Sequence, residues 1–217
     1  MLLDPLPRAV LFDFDGTLAD TFPLIIAAFN ASVGKRLGRT FTDPEVIDLF
    51  GPPESVMIRE ALPGDDWEAA YADYLRFYET HHALASPLPD AEALLTALKL
   101  RYPLGLMTGK GTHSAAITLR AFGWQDWFGS VVTGDDVVHP KPDPEGVLRT
   151  ARELDVAPAH CVYIGDSPAD IEAGRAAGMR TIAAAWHTVY GARLRAARAD
   201  FWADTPEILR KMLVPPA

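Results

Sequence analysis

The sequence predicts an α/β protein whose core is a doubly wound, mostly parallel sheet, with an all-helical segment inserted after the first strand. Short apolar runs with a preference for strands recur through the second half of the chain, and helical patterns separate them. Residues 20–86 contain helical patterns only. Polar residues follow directly after several apolar runs, which is where open parallel sheets bind their ligands.

The first strand is predicted at residues 10–13, an apolar run that ends at Asp13. Asp15 follows two positions later, and in an extended strand residues at that spacing point to the same side. Gly16 then allows the chain to turn away at once. Two carboxylates this close repel each other, so the pair requires a cation or a shared proton, unless it is only an acidic turn after a strand.

Residues 20–86 are predicted to form a helical unit, separate from a core made of residues 1–19 and 87–217. Glycine and proline divide this unit into helices, which are predicted at residues 24–37, 43–50, 54–62 and 67–84. The turn Gly51-Pro52-Pro53 precedes the third of them. Residues 86–89 are the predicted return to the core.

The second half of the chain alternates between strands and helices. Strands are predicted at residues 104–107, 130–133, 161–164 and 181–184. Helices are predicted to begin at Asp90 and after Gly111, Asp143, Pro168 and Pro206. Such alternation implies a parallel sheet that is covered by helices on both faces.

Two of these strands end in residues that suit a charged ligand. Thr108 and Gly109 place a hydroxyl and free backbone amides at a strand end, which suits a phosphate, although Thr-Gly is also common in turns. Asp166 and Asp170 follow the strand at 161–164 and lie four residues apart across a helix start. Capping of that helix explains the same residues, and the two interpretations do not compete.

Two lysines are candidates for the positive charge that an anion site needs. Lys141 stands between Pro140 and Pro142, and such a stiffened lysine can place its ammonium group with little ordering cost. The alternative is a rigid surface loop in which the lysine is incidental. Lys110 follows Gly109 and is either a second cation for the substrate or a solvated side chain; the sequence favours neither.

Composition narrows the class of protein. The chain has 217 residues, of which 49% are hydrophobic and 23% charged, as in a globular protein with a sizeable core. Its formal net charge of −9 argues against nucleic acid or an anionic membrane as a partner. The single Cys161 excludes an intrachain disulfide and suits a reducing compartment. With no membrane-length apolar run and no signal-peptide pattern, we expect a cytoplasmic monomer or homodimer.

The four polar motifs, in this order, resemble those of the haloacid dehalogenase superfamily. They are Asp-x-Asp-Gly-Thr at residues 13–17, Thr-Gly at 108–109, Lys-Pro-x-Pro at 141–144 and Gly-Asp-Ser-x-x-Asp at 165–170. The sequence is similar to the phosphoglycolate phosphatase-like branch, which implies a Rossmann-like core and a small helical cap at residues 20–86. The family often has asparagine where Gly109 stands here, so a side-chain contact at that position is in doubt.

The resemblance implies a role for each site residue. Asp13 is the expected nucleophile that becomes an aspartyl phosphate, Asp15 the expected general acid and base, and Lys141 the bridge between nucleophile and phosphate. It implies substrate binding by Thr108, Gly109 and Lys110. It also implies a Mg²⁺ cofactor with Asp13, Asp15 and Asp166 as ligands and Asp170 in an indirect role. These residues are Asp13, Asp15, Thr108, Gly109, Lys110, Lys141, Asp166 and Asp170.

The function implied is a magnesium-dependent phosphomonoester hydrolase that acts on a small phosphorylated metabolite. The alternatives are an inorganic pyrophosphatase, a sugar-phosphate phosphatase or phosphomutase, a dehalogenase, or a regulator without activity. A dehalogenase would not need Asp15, which counts against it. In relatives the loop at the position of Gly51-Pro52-Pro53 dips over the active site, whereas the residues alone favour an ordinary turn. Arg59 is a candidate for a substrate carboxylate, or it faces water.

Overall fold

A parallel six-stranded sheet forms the centre of the protein. The structure, a computed structural model, describes residues 2–62, 64 and 66–215. Its strands are β1 (Ala9–Phe12), β2 (Ala19–Asp20), β3 (Ser86–Pro87), β4 (Leu104–Met107), β5 (Ser130–Val132), β6 (Cys161–Gly165), β7 (Arg180–Ala184) and β8 (Phe201–Ala203). The sheet has the order β5-β4-β1-β6-β7-β8, and each neighbouring pair is parallel. The predicted parallel α/β core is therefore confirmed.

Helices cover both faces of this sheet. The helices are α1 (Phe22–Phe29), α2 (Lys35–Leu37), α3 (Asp43–Ile47), α4 (Glu54–Ala61), α5 (Trp67–Thr80), α6 (Ala91–Lys99), α7 (Thr112–Phe122), α8 (Glu145–Glu153), α9 (Pro168–Ala176), α10 (Ala192–Ala196) and α11 (Pro206–Leu213), and the first five of them lie in the segment between β2 and β3 rather than on the sheet. Successive strand side chains point to opposite faces. Val10 and Phe12 accordingly join the core under α6 and α11, while Leu11 joins the core under α8 and α9. This two-sided burial explains why β1 is apolar at every position.

The helices α1 to α5 pack on one another around the fully buried Tyr74 and Tyr78. The helix predicted at residues 24–37 is continuous, but it passes through a π-helical turn at Asn30–Gly34 between α1 and α2. We call the assembly of α1 to α5 the helical unit. Both of its connections to the sheet pass through a short antiparallel ribbon of β2 and β3, where Asp20 lies opposite Ser86. Residues 20–86 stay the predicted extent of this unit.

Several short elements differ from the prediction. The edge strand β8, the ribbon strands and α10 were not predicted. The ribbon strands have two residues each and α10 has less than two helical turns, which is too short to show a period, and β8 has three residues of which two are only half-buried. The helix predicted at 67–84 ends at Thr80, and a 3₁₀ turn at His82–Leu84 follows it. None of the described helices has both the length and the apolar character that crossing a membrane requires.

Candidate active site

The predicted site residues converge at the carboxyl edge of the sheet. Strand β1 lies between β4 and β6, so Asp13, Thr108 and Asp166, which follow these three strands, meet at one edge. All three are buried and line a single cavity of about 320 Å³. Asp13 and Asp166, which are 153 positions apart in the sequence, thus share one site.

The turn after β1 brings its backbone against Asp166. Gly16 has a φ of +80°, and a Cβ atom at this position would lie 2.6 Å from Asp166 Oδ2. Only glycine fits both the backbone conformation and the space. Thr17, the next residue, donates a hydrogen bond of 3.2 Å to Asp166 Oδ1. The turn therefore holds Oδ1 of Asp166 by a hydrogen bond and packs its backbone against Oδ2.

Lys141 lies at the centre of a buried ionic network. Its Nζ donates to Asp13 Oδ1 at 2.9 Å, to Asp170 Oδ1 at 2.6 Å and to the Tyr163 hydroxyl at 3.3 Å. Only 9% of its side chain is exposed, so the alternative of an incidental surface lysine is wrong. The second oxygen of Asp170 accepts from the Ser167 backbone N–H at 3.0 Å, and Ser167 caps α9 in turn. Helix capping and the ionic network thus use the same residues.

Three carboxylates crowd around this lysine. Asp13, Asp166 and Asp170 each offer an oxygen, and these oxygens lie within 4.8 Å of one another. Burial, followed by repulsion from Asp170, raises the pKa of Asp13 from 3.8 to about 7 despite the nearby Lys141. Burial and then Asp13 and Asp170 raise the pKa of Asp166 well above its ordinary range. One ammonium group does not compensate for three buried carboxylates.

The donor set suits a hard divalent cation. Asp166 Oδ2 is buried and has no hydrogen-bond partner among the described residues, which is costly for a carboxylate unless a cation occupies the neighbouring space. Mg²⁺ binds one or two carboxylates together with water and phosphate oxygens. Asp13 and Asp166 can supply these oxygens, and Asp170 lies beside them.

The Asp15 carboxylate does not join this cluster, in contrast to the predicted ligand set of Asp13, Asp15 and Asp166. It accepts hydrogen bonds from the Thr21 hydroxyl and from Lys110 Nζ, the latter at 3.3 Å. Its orientation follows from Thr21, which begins the helical unit just after β2. Asp15 still lines the cavity beside Asp13, where a proton can be delivered to bound substrate.

Lys110 is buried, so the alternative that its side chain is solvated is wrong. Its side chain has no exposed surface, and its Nζ lies 3.3 Å from Asp15 Oδ1 and 3.4 Å from Glu54 Oε1. The ammonium group also lies over the ring of Tyr78 at 4.9 Å. Burial alone would lower the pKa of Lys110, but Asp15, Tyr78 and Glu54 together raise it above its ordinary range. Lys110 therefore stays charged and joins the two carboxylates.

Glu54 is a site residue that the sequence did not reveal. It is the first residue of α4, and it accepts hydrogen bonds of 2.7 Å from the Gly111 N–H and from the Ser114 hydroxyl at the start of α7. A glutamate at a helix start is ordinary in sequence, so no local signal marks this cross-link. It ties the helical unit to the loop after β4.

The loop at residues 51–53 lies over the site rather than forming an ordinary turn. Gly51 and Pro52 line the cavity together with Thr108 and Gly109. A Cβ atom at Gly109 would lie 2.7 Å from the Gly51 carbonyl oxygen. The absence of a side chain at Gly109 is therefore what allows this loop to approach. Arg59, by contrast, is exposed, and its guanidinium lies 5.9 Å from the ring centre of Trp67.

Comparisons with known proteins agree with this geometry. Residues 10–184 match the family described as haloacid dehalogenase-like hydrolase. Pyrophosphatase PpaX of Bacillus velezensis is 34% identical over 195 residues, which cover 88% of this chain and 89% of that protein. A phosphoglycolate phosphatase of Xanthomonas campestris pv. campestris is 35% identical over 185 residues, covering 83% and 84%.

A solved structure has the same architecture. CbbY from Rhodobacter sphaeroides, crystallised in complex with phosphate, superposes with a TM-score of 0.80 at 26% identity, and the match covers 93% of this chain and 95% of that one. The family match spans all four motifs, from the strand before Asp13 to the strand after Asp170. This chain therefore belongs to the haloacid dehalogenase-like hydrolases, and within them it is a phosphatase.

Proposed function

We propose that the protein is a magnesium-dependent phosphomonoester hydrolase that acts on a small phosphorylated metabolite through an aspartyl phosphate at Asp13. The observation that supports this most directly is the buried ion pair of Asp13 and Lys141, 2.9 Å apart, at the end of β1. An acidic nucleophile and an anionic substrate repel each other, and Lys141 offsets that repulsion at the point of attack. Relatives named phosphoglycolate phosphatase make phosphoglycolate a reference ester for the assay.

In the first step, an oxygen of Asp13 forms a bond to phosphorus as the bond from phosphorus to the leaving oxygen breaks. Asp15 gives its proton to that leaving oxygen, and an alcohol departs. Lys110 and Thr21 hold the Asp15 carboxylate in one orientation toward the cavity. The Thr108 hydroxyl and the Gly109 N–H bind the phosphoryl oxygens at the end of β4, by the ordinary chemistry of a strand end that leads into a helix.

In the second step, water attacks the phosphorus of the aspartyl phosphate and Asp15 takes its proton. The bond between phosphorus and Asp13 breaks, inorganic phosphate leaves, and the carboxylate is restored. Asp13 and Asp166 would hold the cation, which when bound would supply positive charge that offsets the repulsion between the carboxylates and the phosphate. Asp170 keeps Lys141 in place through its 2.6 Å contact.

We expect Mg²⁺ to raise the melting temperature, and to raise it more at about pH 8 than at about pH 5. The folded pKa of Asp13, raised from 3.8 to about 7, means that the folded state holds this proton more tightly than the unfolded chain. The metal-free fold therefore loses stability as the pH rises between these two values. A cation at a hundred times its Kd raises the free energy of unfolding by about 2.7 kcal/mol. This corresponds to a rise in melting temperature of roughly 5–10 °C. Thermal unfolding with Mg²⁺ and with EDTA measures both shifts, and equal shifts at the two pH values would contradict the expectation.

The proposed activity is tested by release of phosphate from p-nitrophenyl phosphate with Mg²⁺ or with EDTA. We expect turnover only with the cation, and a phosphorylated intact mass after rapid quenching. Absence of turnover on this ester and on phosphoglycolate would overturn the proposal. Diphosphate belongs in the same assay, because one relative is named a pyrophosphatase. Phosphorus NMR separates hydrolysis from an isomerisation of the substrate.

A further inference from the structure

The helical unit presents an apolar surface to the substrate cavity. Phe22 and Ile25 come from α1, Phe50 from the loop before α4, and Met57 from α4 itself. The rings of Phe22 and Phe50 stack with their centres 5.7 Å apart, so this surface is continuous. It contacts whatever the phosphate is attached to, because the strand-end residues hold the phosphate itself.

Both cations of the cavity are already paired. Lys141 contacts Asp13 and Asp170 at 2.9 and 2.6 Å. Lys110 contacts Asp15 and Glu54, and none of its side chain is exposed. Neither ammonium group therefore has an unpaired face for a second anion.

No further positive charge reaches the cavity from the residues that the structure describes. Its other ionisable lining consists of Tyr190 and of the carboxylates of Asp13, Asp15, Glu54 and Asp166, so carboxylates outnumber lysines by two to one. Arg59, the one basic side chain of α4, is exposed beside Trp67 and does not line the cavity. A carboxylate or phosphate on the leaving group would be buried here without a counter-charge, which is strongly unfavourable.

We infer that the preferred substrates are phosphate esters of uncharged alcohols with an apolar face, and not esters whose leaving group carries a carboxylate or a second phosphate. This inference rests on the proposed phosphomonoesterase function and specifies its substrate class. The preferred substrates would then differ from those that the names of the relatives give. Phosphoglycolate has a carboxylate on its leaving group, and diphosphate has a second phosphate. The cavity of about 320 Å³ has room for a leaving group of several carbon atoms beside the phosphate.

Two matched pairs of esters test the inference. Hydroxyethyl phosphate differs from phosphoglycolate, and glycerol phosphate from phosphoglycerate, by exchange of a carboxylate for a hydroxymethyl group. We expect kcat/KM to be about 10-fold or more higher for the uncharged member of each pair, and low for diphosphate. Equal or higher values for the carboxylated members would overturn the inference while leaving phosphatase activity intact. Failure to hydrolyse any ester, p-nitrophenyl phosphate included, would overturn both.

A variant that supplies the missing charge provides the converse test. Lysine is similar in length to methionine, so Met57→Lys places an ammonium group at the apolar wall. We expect it to shift the ratio of kcat/KM for phosphoglycolate over hydroxyethyl phosphate upward by about 10-fold. Glu60→Gln changes the net charge by the same amount on the exposed part of α4 and is expected to leave the ratio unchanged. The inference would be refuted if the wild-type protein already preferred phosphoglycolate and folded Met57→Lys left the ratio unchanged.

Discussion

Asp13→Asn is expected to lower kcat by on the order of 10⁴-fold or more while it stabilises the metal-free protein. The amide cannot attack phosphorus, so the covalent route is lost. The same change removes one of three crowded carboxylates. Burial of this carboxylate raises the pKa of Asp13 to about 7. At a pH above that value the wild-type protein has an ionised Asp13 whose charge the fold disfavours, and the amide removes this penalty.

Steady-state hydrolysis and thermal unfolding in EDTA at about pH 8 measure the two effects, and a rise in melting temperature of several degrees is expected. Asp126→Asn is the matched control, since it removes the same charge from an exposed position. Neither activity nor stability should change in it. A variant at Asp13 that is inactive but less stable would mean that Asp13 is mainly a structural partner of Lys141.

Lys141→Met is expected to abolish activity and to lower the free energy of unfolding by roughly 3–5 kcal/mol. Removal of this ammonium group leaves Asp13 and Asp170 buried without their common counter-charge. Denaturant unfolding measures the loss of stability, and phosphate release measures the loss of activity. Lys211→Met serves as the control, because that side chain is 64% exposed and its ion pair lies on the surface.

A double variant separates charge balance from catalysis. Lys141→Met with Asp170→Asn removes one ammonium group and one carboxylate, so it should recover part of the stability that Lys141→Met loses. Activity should stay absent, because no ammonium group then lies beside Asp13 to offset its repulsion of the phosphate. Recovery of activity together with stability would show that Lys141 acts only by neutralising Asp170.

The sheet and its site were predictable because the ends of its three central strands, β4, β1 and β6, are marked by residues with recognisable chemistry. Asp13, Thr108 and Asp166 follow apolar runs, and parallel strands bring their carboxyl ends together. The edge strand β8 was missed because its three residues are too few and partly exposed. The ribbon strands β2 and β3 have two residues each, which no pattern reveals.

Contacts between the helical unit and the core could not be predicted from local sequence. Lys110 and Glu54 are 56 residues apart, and their contact depends on how α4 packs against the loop after β4. The partners of the Asp15 carboxylate, Thr21 and Lys110, depend on the same packing, so the spacing between Asp13 and Asp15 could not identify them. The spacing of residues in the sequence identifies which side chains have suitable chemistry, but it does not identify which partner each side chain contacts in the fold.

The ribbon of β2 and β3 has a consequence for engineering. Asp20 and Ser86 are cross-strand partners, so the chain leaves and re-enters the core at points about 5 Å apart. The segment between Asp20 and Ser86 thus has adjacent ends. Exchanging it for the corresponding segment of a relative should require no change in the sheet. Such chimaeras would carry a new selectivity for alcohols on the same sheet, provided that the exchanged segment keeps the contacts of Thr21 with Asp15 and of Glu54 with Lys110.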